Sequence, residues 1–291
     1  MSQNAFNLYD SFNPCILSIL VSFKKIHFYH PKNLGAPLSI DEVAVTNGEL
    51  WITLTNKAKH GKKGALVAMI QGTKASEMAH VFARLPDGAR HTVTEVTTDM
   101  AANMELAVKQ SFSRATIVTD RFHVQQLVAE AVQDRRIELR RAALKGENEP
   151  IKHARQEGQP STPVVYENGD TTRQLLARSR YLLVRPHSKW HDQQKERAGI
   201  LFREYPQLKI AYDLSMLFRS CYEQSPSIPE AKEKLQSWHR KIEEKTMDTF
   251  LAAAESIRLH EPTILHDFVN RRTNASAESF HAKLKNFRTV V

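Results

Sequence analysis

The sequence predicts an α/β fold: a mixed five-stranded sheet with flanking helices, interrupted by a large all-helical insertion. Three observations predict it. Between residues 38 and 120 the chain breaks into short alternating or apolar runs bounded by turn residues, with two amphipathic helical stretches set among them. Beyond Asp120 this pattern gives way to apolar residues at helical spacing. Near the end a helix-start signal returns, with Asn274 as N-cap and an acid, Glu278, in the first turn behind it.

Residues 1–37 show no periodic helix; NAFNLYDSFNP, the apolar CILSILVSF and HFYHPKNLGAP run up to Pro37. SIDEVAV alternates apolar and polar residues as a first strand. Asn47-Gly48 is a two-residue hairpin turn, ELWITLT the returning strand, KAKHGKKG a second turn and ALVAMIQG a third strand. ASEMAHVFARL places Met78, Ala79, Phe82 and Leu85 at helical spacing until Pro86-Asp87-Gly88 stops it. HTVTEVTTD is a fourth strand ending at Asp99. AANMELAVKQSF is an amphipathic helix with Met104, Leu106, Ala107 and Phe112 toward the core, and ATIVTD is a fifth strand ending at Asp120. An antiparallel meander continued by strands reached through helices is the element order of the ribonuclease H type of fold.

After Asp120, Val124, Leu127, Val128, Ala131 and Val132 open a helix that continues through DRRIELRRAAL, and a polar loop rich in Glu, Gly and Pro is expected over roughly 145–170. Helical patterns resume in TTRQLLARSRYLL, QQKERAGILFREY, LKIAYDLSMLFRSCY and across 230–269. Leu201, Phe202, Leu214, Leu217, Phe218, Trp238, Ile242, Phe250 and Leu251 are the expected core of this block.

Composition narrows the function classes. Against 32 Asp and Glu the chain carries 41 Lys and Arg, a formal charge of +9 that would attract a polyanion and make its binding salt-sensitive. Two cysteines, Cys15 and Cys221, are too few for a disulfide framework or a thiolate zinc site and fit a reducing compartment. The apolar run at 15–23 is far short of a membrane span and has no basic region ahead of it, so a soluble protein with no membrane partner is expected.

Asp41, Asp99 and Glu278 sit where elements begin or end, and three carboxylates on separate elements are what a two-metal phosphoryl-transfer site needs. In a ribonuclease H type sheet the first and fourth strands are neighbours, which would set Asp41 beside Asp99. The rival for the second acid is Asp120, followed by Arg121, Phe122 and His123; it is either the ligand itself or a partner that orients His123. The implied cofactor is a pair of Mg2+ or Mn2+ ions. Two basic groups suit a DNA-handling surface: Arg135, Arg136, Arg140 and Arg141 on one helix, and Arg271, Arg272, Lys283, Lys285 and Arg288 bracketing Glu278.

IDEVAV, the VTTDM segment, IVTDRFHVQQLVAEAV, the LLARSRYLL block with its downstream Trp and Glu-Arg-Ala, and the terminal RRTNASAESFHAKLKNFR together resemble bacterial insertion-sequence transposases of the ISL3 type, over about residues 38–288. The resemblance implies an acidic-triad enzyme with a ribonuclease H type core. It would cleave double-stranded DNA at transposon ends and transfer the strands into target DNA, in the bacterial cytoplasm and as a homo-oligomer assembled on DNA. It implies Asp41 as first acid and Glu278 as third, and it contains both the TTDM and the DRFH aspartates; Asp99 is preferred as second acid because it closes the fourth strand. The chain departs from the pattern in lacking an N-terminal zinc-binding and helix-turn-helix region, in carrying His281 where the usual residue is Asn, and in stopping at Val291. The expected division is therefore a shortened N-terminal segment (1–37), the first part of the catalytic core (38–123), a helical insertion (124–268), and a truncated return to the core (269–291). The alternatives are an inactive derivative that binds DNA without catalysis and a related metal-dependent nuclease.

Overall fold

A computed structural model describes residues 27–44, 48–158, 160, 163–271 and 282. The chain falls into two compact units: residues up to His123 together with those from His260 onward, and Val124–Leu259.

The first unit is built on a mixed sheet. Its strands are β1 (His27–Tyr29), β2 (Pro37–Ala44), β3 (Leu50–Asn56), β4 (Leu66–Gln71), β5 (Glu95–Thr98) and β6 (Thr116–Thr119), in the spatial order β1-β4-β3-β2-β5-β6. Pairing is antiparallel from β1 through β4 and β3 to β2, and parallel from β2 through β5 to β6. Gly48, at φ 82°, supplies the left-handed residue that a tight β2–β3 turn demands. Helix α1 (Ala75–Phe82) and the short α2 (Asp87–Arg90) lie between β4 and β5, and α3 (Ala102–Ser111) between β5 and β6. Period-two alternation sends Leu38, Ile40, Ile52, Leu54, Ile70 and Val96 to one face, where they bury against Met78, Val81 and Phe82 of α1 and Met104, Ala107 and Val108 of α3. Removing each such side chain from water is worth about 1.5–3 kcal/mol.

Two expectations change here. The described sheet has six strands where five are expected, because HFY at 27–29 adds an edge strand beside β4 and stacks Phe28 on Trp51 at 6.4 Å between ring centroids. Three residues are too few to show a period. Leu106, expected in the core, is exposed; the buried face of α3 runs through Met104, Ala107, Val108 and Ser111, spacing that leaves position 106 on the far side.

The second unit is helical among its described residues, apart from a single isolated bridge between Val165 and Thr171. Its elements are α4 (Arg121–Gln156, which starts in the first unit), α5 (Thr172–Arg178), α6 (Asp192–Glu204), α7 (Pro206–Gln224), α8 (Ile228–Glu244) and α9 (Leu251–Leu259). Helix α4 runs straight through residues expected to be loop and contains Pro150. The strong helix formers on either side outweigh one proline, which costs roughly 3 kcal/mol in a helix interior. The core gathers around Trp238, whose indole nitrogen donates to the Leu214 carbonyl at 3.0 Å while its ring packs on Phe218 at 4.8 Å. Leu201, Leu214, Phe218, Trp238, Ile242 and Phe250 are buried as expected, whereas Leu251 is 57 % exposed: it opens α9 on the side away from Ala253, Ala254 and Ile257.

The chain then returns to the sheet. Helices α10 (Glu261–Leu265) and α11 (Asp267–Asn270) belong with the first unit, so the helical unit ends at Leu259 where 268 is expected. The reason is a set of polar ties: Thr263 and Thr119 share a hydroxyl hydrogen bond of 2.7 Å, His266 Nδ1 meets the Ile117 carbonyl at 2.8 Å, and Asn270 donates to Glu95 at 2.8 Å. Among the described residues no helix is long and apolar enough to cross a membrane.

Candidate active site

Strand register lines up three acids. Ser39 of β2 pairs with Thr97 of β5, and Thr97 with Val118 of β6; two residues further along each of these parallel strands come Asp41, Asp99 and Asp120. A shift of two keeps each side chain on the face from which it started, the one opposite the apolar core. The three aspartates therefore form one row across adjacent parallel strands, just past the last parallel pair. Asp99 and Asp120 follow the ends of β5 and β6, while Asp41 lies within β2, which continues to Ala44, and so does not end its strand as expected. The row is held to its end, since the Asp120 amide donates to the Thr98 carbonyl at 2.7 Å.

Each acid is fixed locally. Asp41 is 8 % exposed; one oxygen accepts from the Glu42 amide at 2.8 Å, and the facing Thr53 hydroxyl donates to its carbonyl at 3.2 Å. Asp99, half-buried, accepts from the Ala101 amide at 2.8 Å. Asp120 is 4 % exposed and accepts from the Phe122 amide at 3.0 Å, which ties it to the first turn of α4. That turn brings His123 over the row, with Nε2 3.9 Å from Asp41 Oδ1 and 3.8 Å from Asp120 Oδ2. The imidazole faces two carboxylates at once.

The electrostatics follow from crowding. Burial raises the Asp99 carboxyl above its ordinary value and the charges of Asp41 and Asp120 push the same way, against the Ala101 amide and His123. Glu42 is raised as well, by desolvation first and then by Asp99 and Asp41, so both acids act on the same neighbour. Asp41, Asp99, Asp120 and Glu42 thus act on one another as like charges, with His123 acting against them at Asp99. Carboxylate oxygens are hard donors of the kind that bind Mg2+ or Mn2+, and the donor chemistry of the row fits such ions. Among the described residues, however, no three His, Cys, Asp or Glu side chains are grouped so as to hold a metal ion. Glu278, the expected third donor, lies outside the described residues, as do Arg272, Lys283, Lys285 and Arg288.

The remaining expected cations separate into two kinds. Arg135 is paired with Asp248 and with Glu138, and Arg136 is 6 % exposed, donating to Gln133 at 2.8 Å and to the Leu176 carbonyl at 3.0 Å. Both hold the helical unit together. Arg140 and Arg141 are exposed, and Arg271, capping α11 with a φ of 49°, lays its guanidinium over the Phe268 ring at 5.2 Å.

Sequence reasoning missed the charge center beneath the row. Lys57, in a stretch that reads as a solvated turn, is buried; its ammonium donates to Thr97 at 2.7 Å and meets Glu95 at 3.3 Å, and Glu95 in turn accepts from Asn270. Burial lowers the Lys57 pKa against the fields of Glu95, Asp120 and Asp267. Nothing in KAK distinguishes a buried lysine from its exposed neighbours, and only the pairing of β2 with β5 brings Glu95 to it.

Comparison with known families gives one result. Residues 38–290 match the family of ISL3-type DDE proteins described as Transposase. No curated protein matches the chain.

Proposed function

Because the chain belongs to the ISL3 family of transposases, and so to the DNA-processing enzymes, we propose that it cleaves double-stranded DNA at the ends of a mobile element and joins the freed ends to target DNA. The observation that carries this reading is the row of Asp41, Asp99 and Asp120 on neighbouring parallel strands. The strand order, with a meander followed by two parallel strands on the far side of β2, supports a ribonuclease H type core with the helical unit inserted before its last part.

In this reading Asp41, Asp99 and Glu278 hold two Mg2+ or Mn2+ ions, which when bound activate the attacking oxygen and stabilise the leaving one. Asp99 serves as second acid because it closes the fourth strand of the expected core and is the more accessible of the two, half-buried where Asp120 is 4 % exposed. Asp120 and His123 are positioning residues: the one fixes the helix start, the other sets an imidazole against Asp41. Water attacks the phosphodiester at the element end, the bond to the 3′ oxygen breaks, and the 3′ hydroxyl so formed attacks a target phosphodiester, displacing the target's own 3′ oxygen. The same row serves both steps.

The test is cleavage and joining of a labelled duplex carrying the element's terminal repeats, with Mg2+ or Mn2+. Asp41→Asn and Asp99→Asn should each abolish both reactions while duplex binding is kept. Cleavage retained by Asp99→Asn and lost in Asp120→Asn would move the second acid to Asp120. Cleavage without joining in the unaltered protein would make it a nuclease.

A further inference from the structure

The LLARSRYLL motif is only partly explained by the fold. Within it Leu175, Leu176, Leu182 and Leu183 are buried, the Ser179 hydroxyl donates to the Leu175 carbonyl at 2.6 Å, and Arg178 joins Arg197 of the downstream Glu-Arg-Ala on buried Asp170. Arg180 and Tyr181 do neither. Tyr181 is 67 % exposed, and the Arg180 guanidinium stands over its ring at 5.5 Å.

Packing brings this pair to the basic face of α4. Gln133 donates to the Arg180 carbonyl at 3.0 Å and accepts from Arg136 at 2.8 Å, so one amide fastens the end of α5 against α4. Arg140 lies one turn beyond Arg136 on the same side of α4. Burial lowers the Arg136 pKa first, and the positive charges of Arg140 and Arg180 lower it further, in keeping with the placement that the Gln133 bonds and the helical spacing give. Neither Arg140 nor Arg180 has an acid partner among the described residues. Gln133 thus holds Arg180 beside Arg136, and the turn of α4 adds Arg140 on the same side.

We propose that the helical unit carries a duplex-DNA site in which Arg140 and Arg180 bind neighbouring phosphates and Tyr181 packs against the adjoining sugar. A backbone that repeats its charge along its length is what two exposed guanidiniums without an acid partner among the described residues suit, and phosphate contacts of this kind set register without reading bases. The proposal rests on the transposase reading and adds to it a phosphate-binding surface on the helical unit.

The experiment is fluorescence anisotropy of the full chain on a labelled duplex of arbitrary sequence over a series of salt concentrations, so that no cleavage is needed. Each of Arg140→Ala and Arg180→Ala should flatten the slope of log affinity against log salt by about 0.9, and the double variant by roughly 1.8. Arg180→Lys should keep the slope. Tyr181→Ala should weaken binding at every salt concentration and leave the slope unchanged. Arg258→Ala, which removes an exposed arginine already paired with Glu243, is the control for net charge and should do little. Unchanged slopes in the double variant, or an equal change in the control, would overturn the site. Slopes that flatten in a protein whose unaltered form never cleaves would keep the site and remove the transposase reading; unchanged slopes in an active enzyme would do the reverse.

Discussion

Two aspartates, Asp170 in the helical unit and Asp99 in the sheet unit, are both drawn out of water and end in opposite states. At Asp170 burial pushes the carboxyl up, but the hydrogen bonds of Arg197 and Arg178 overcome it and hold the group below its ordinary value. At Asp99 burial acts in the same direction and prevails: the Ala101 amide and His123 lower the group, Asp41 and Asp120 add to the rise, and it stays raised. The first is a joint: it ties the LLARSRYLL block to α6, and two guanidiniums more than answer its charge. The second has no arginine or lysine paired with it among the described residues, the arrangement expected where a cation is to arrive. Neutralisation by the protein's own cations separates charge that holds the fold from charge reserved for chemistry.

The comparison is tested most severely by removing a compensating cation from the sheet unit. Lys57→Met should destabilise the chain by about 3–5 kcal/mol, because Glu95 is left buried beside Thr97 and Asn270 with no ammonium. The double variant Lys57→Met/Glu95→Gln should recover most of that loss in denaturant unfolding. No recovery would mean that Lys57 acts through shape and not charge. Next comes Asp170→Asn, with an expected loss of about 3 kcal/mol, at the low end of the range for a buried pair because Arg178 is half exposed. Since the folded pKa of Asp170 is depressed, its contribution is present above the unfolded value near 4 and is lost as pH falls through the folded one. The stability gap between the two proteins should therefore close in acid, and a gap independent of pH would assign the effect to packing.

How far these roles can be read from sequence differs between the units. In the sheet, period-two alternation and an Asn-Gly turn mark the strands, and the likeness of their order to a ribonuclease H type sheet leads to the expectation of Asp41 beside Asp99. Edge strand β1 escapes because three residues carry no period. Lys57 escapes because burial of a turn lysine depends on a partner 38 residues away. In the helical unit the apolar spacing marks the core around Trp238, but a run of four arginines on one helix does not say which are consumed. Two turns of α4 decide it: Arg135 and Arg136 are taken up by Asp248, Glu138, Gln133 and the Leu176 carbonyl, and Arg140 is left over to stand with Arg180. Sequence distance hides that pairing. Proline misleads in the other direction, since Pro150 suggests a break that the surrounding helix formers override.

The smallest effect, and the one that bears most directly on Asp99, has the opposite sign. Asp99→Asn keeps an oxygen to accept from the Ala101 amide and removes a charge that Asp41 and Asp120 oppose, so it should stabilise the chain by about 0.5–2 kcal/mol while abolishing cleavage. The pH dependence distinguishes this from better packing. A raised folded pKa means that the penalty is absent while the carboxyl is protonated in both states, below the unfolded value near 4, and is complete once pH has risen past the folded value. Melting curves of the two proteins should thus coincide in mild acid and separate toward neutrality, with the variant higher. Adding Mg2+ at neutral pH should close the gap from the other side, by stabilising the original chain through binding to its folded form and leaving the variant nearly unmoved. A variant that melts below the original at neutral pH would show that Asp99 is compensated after all, and the contrast with Asp170 would fall with it.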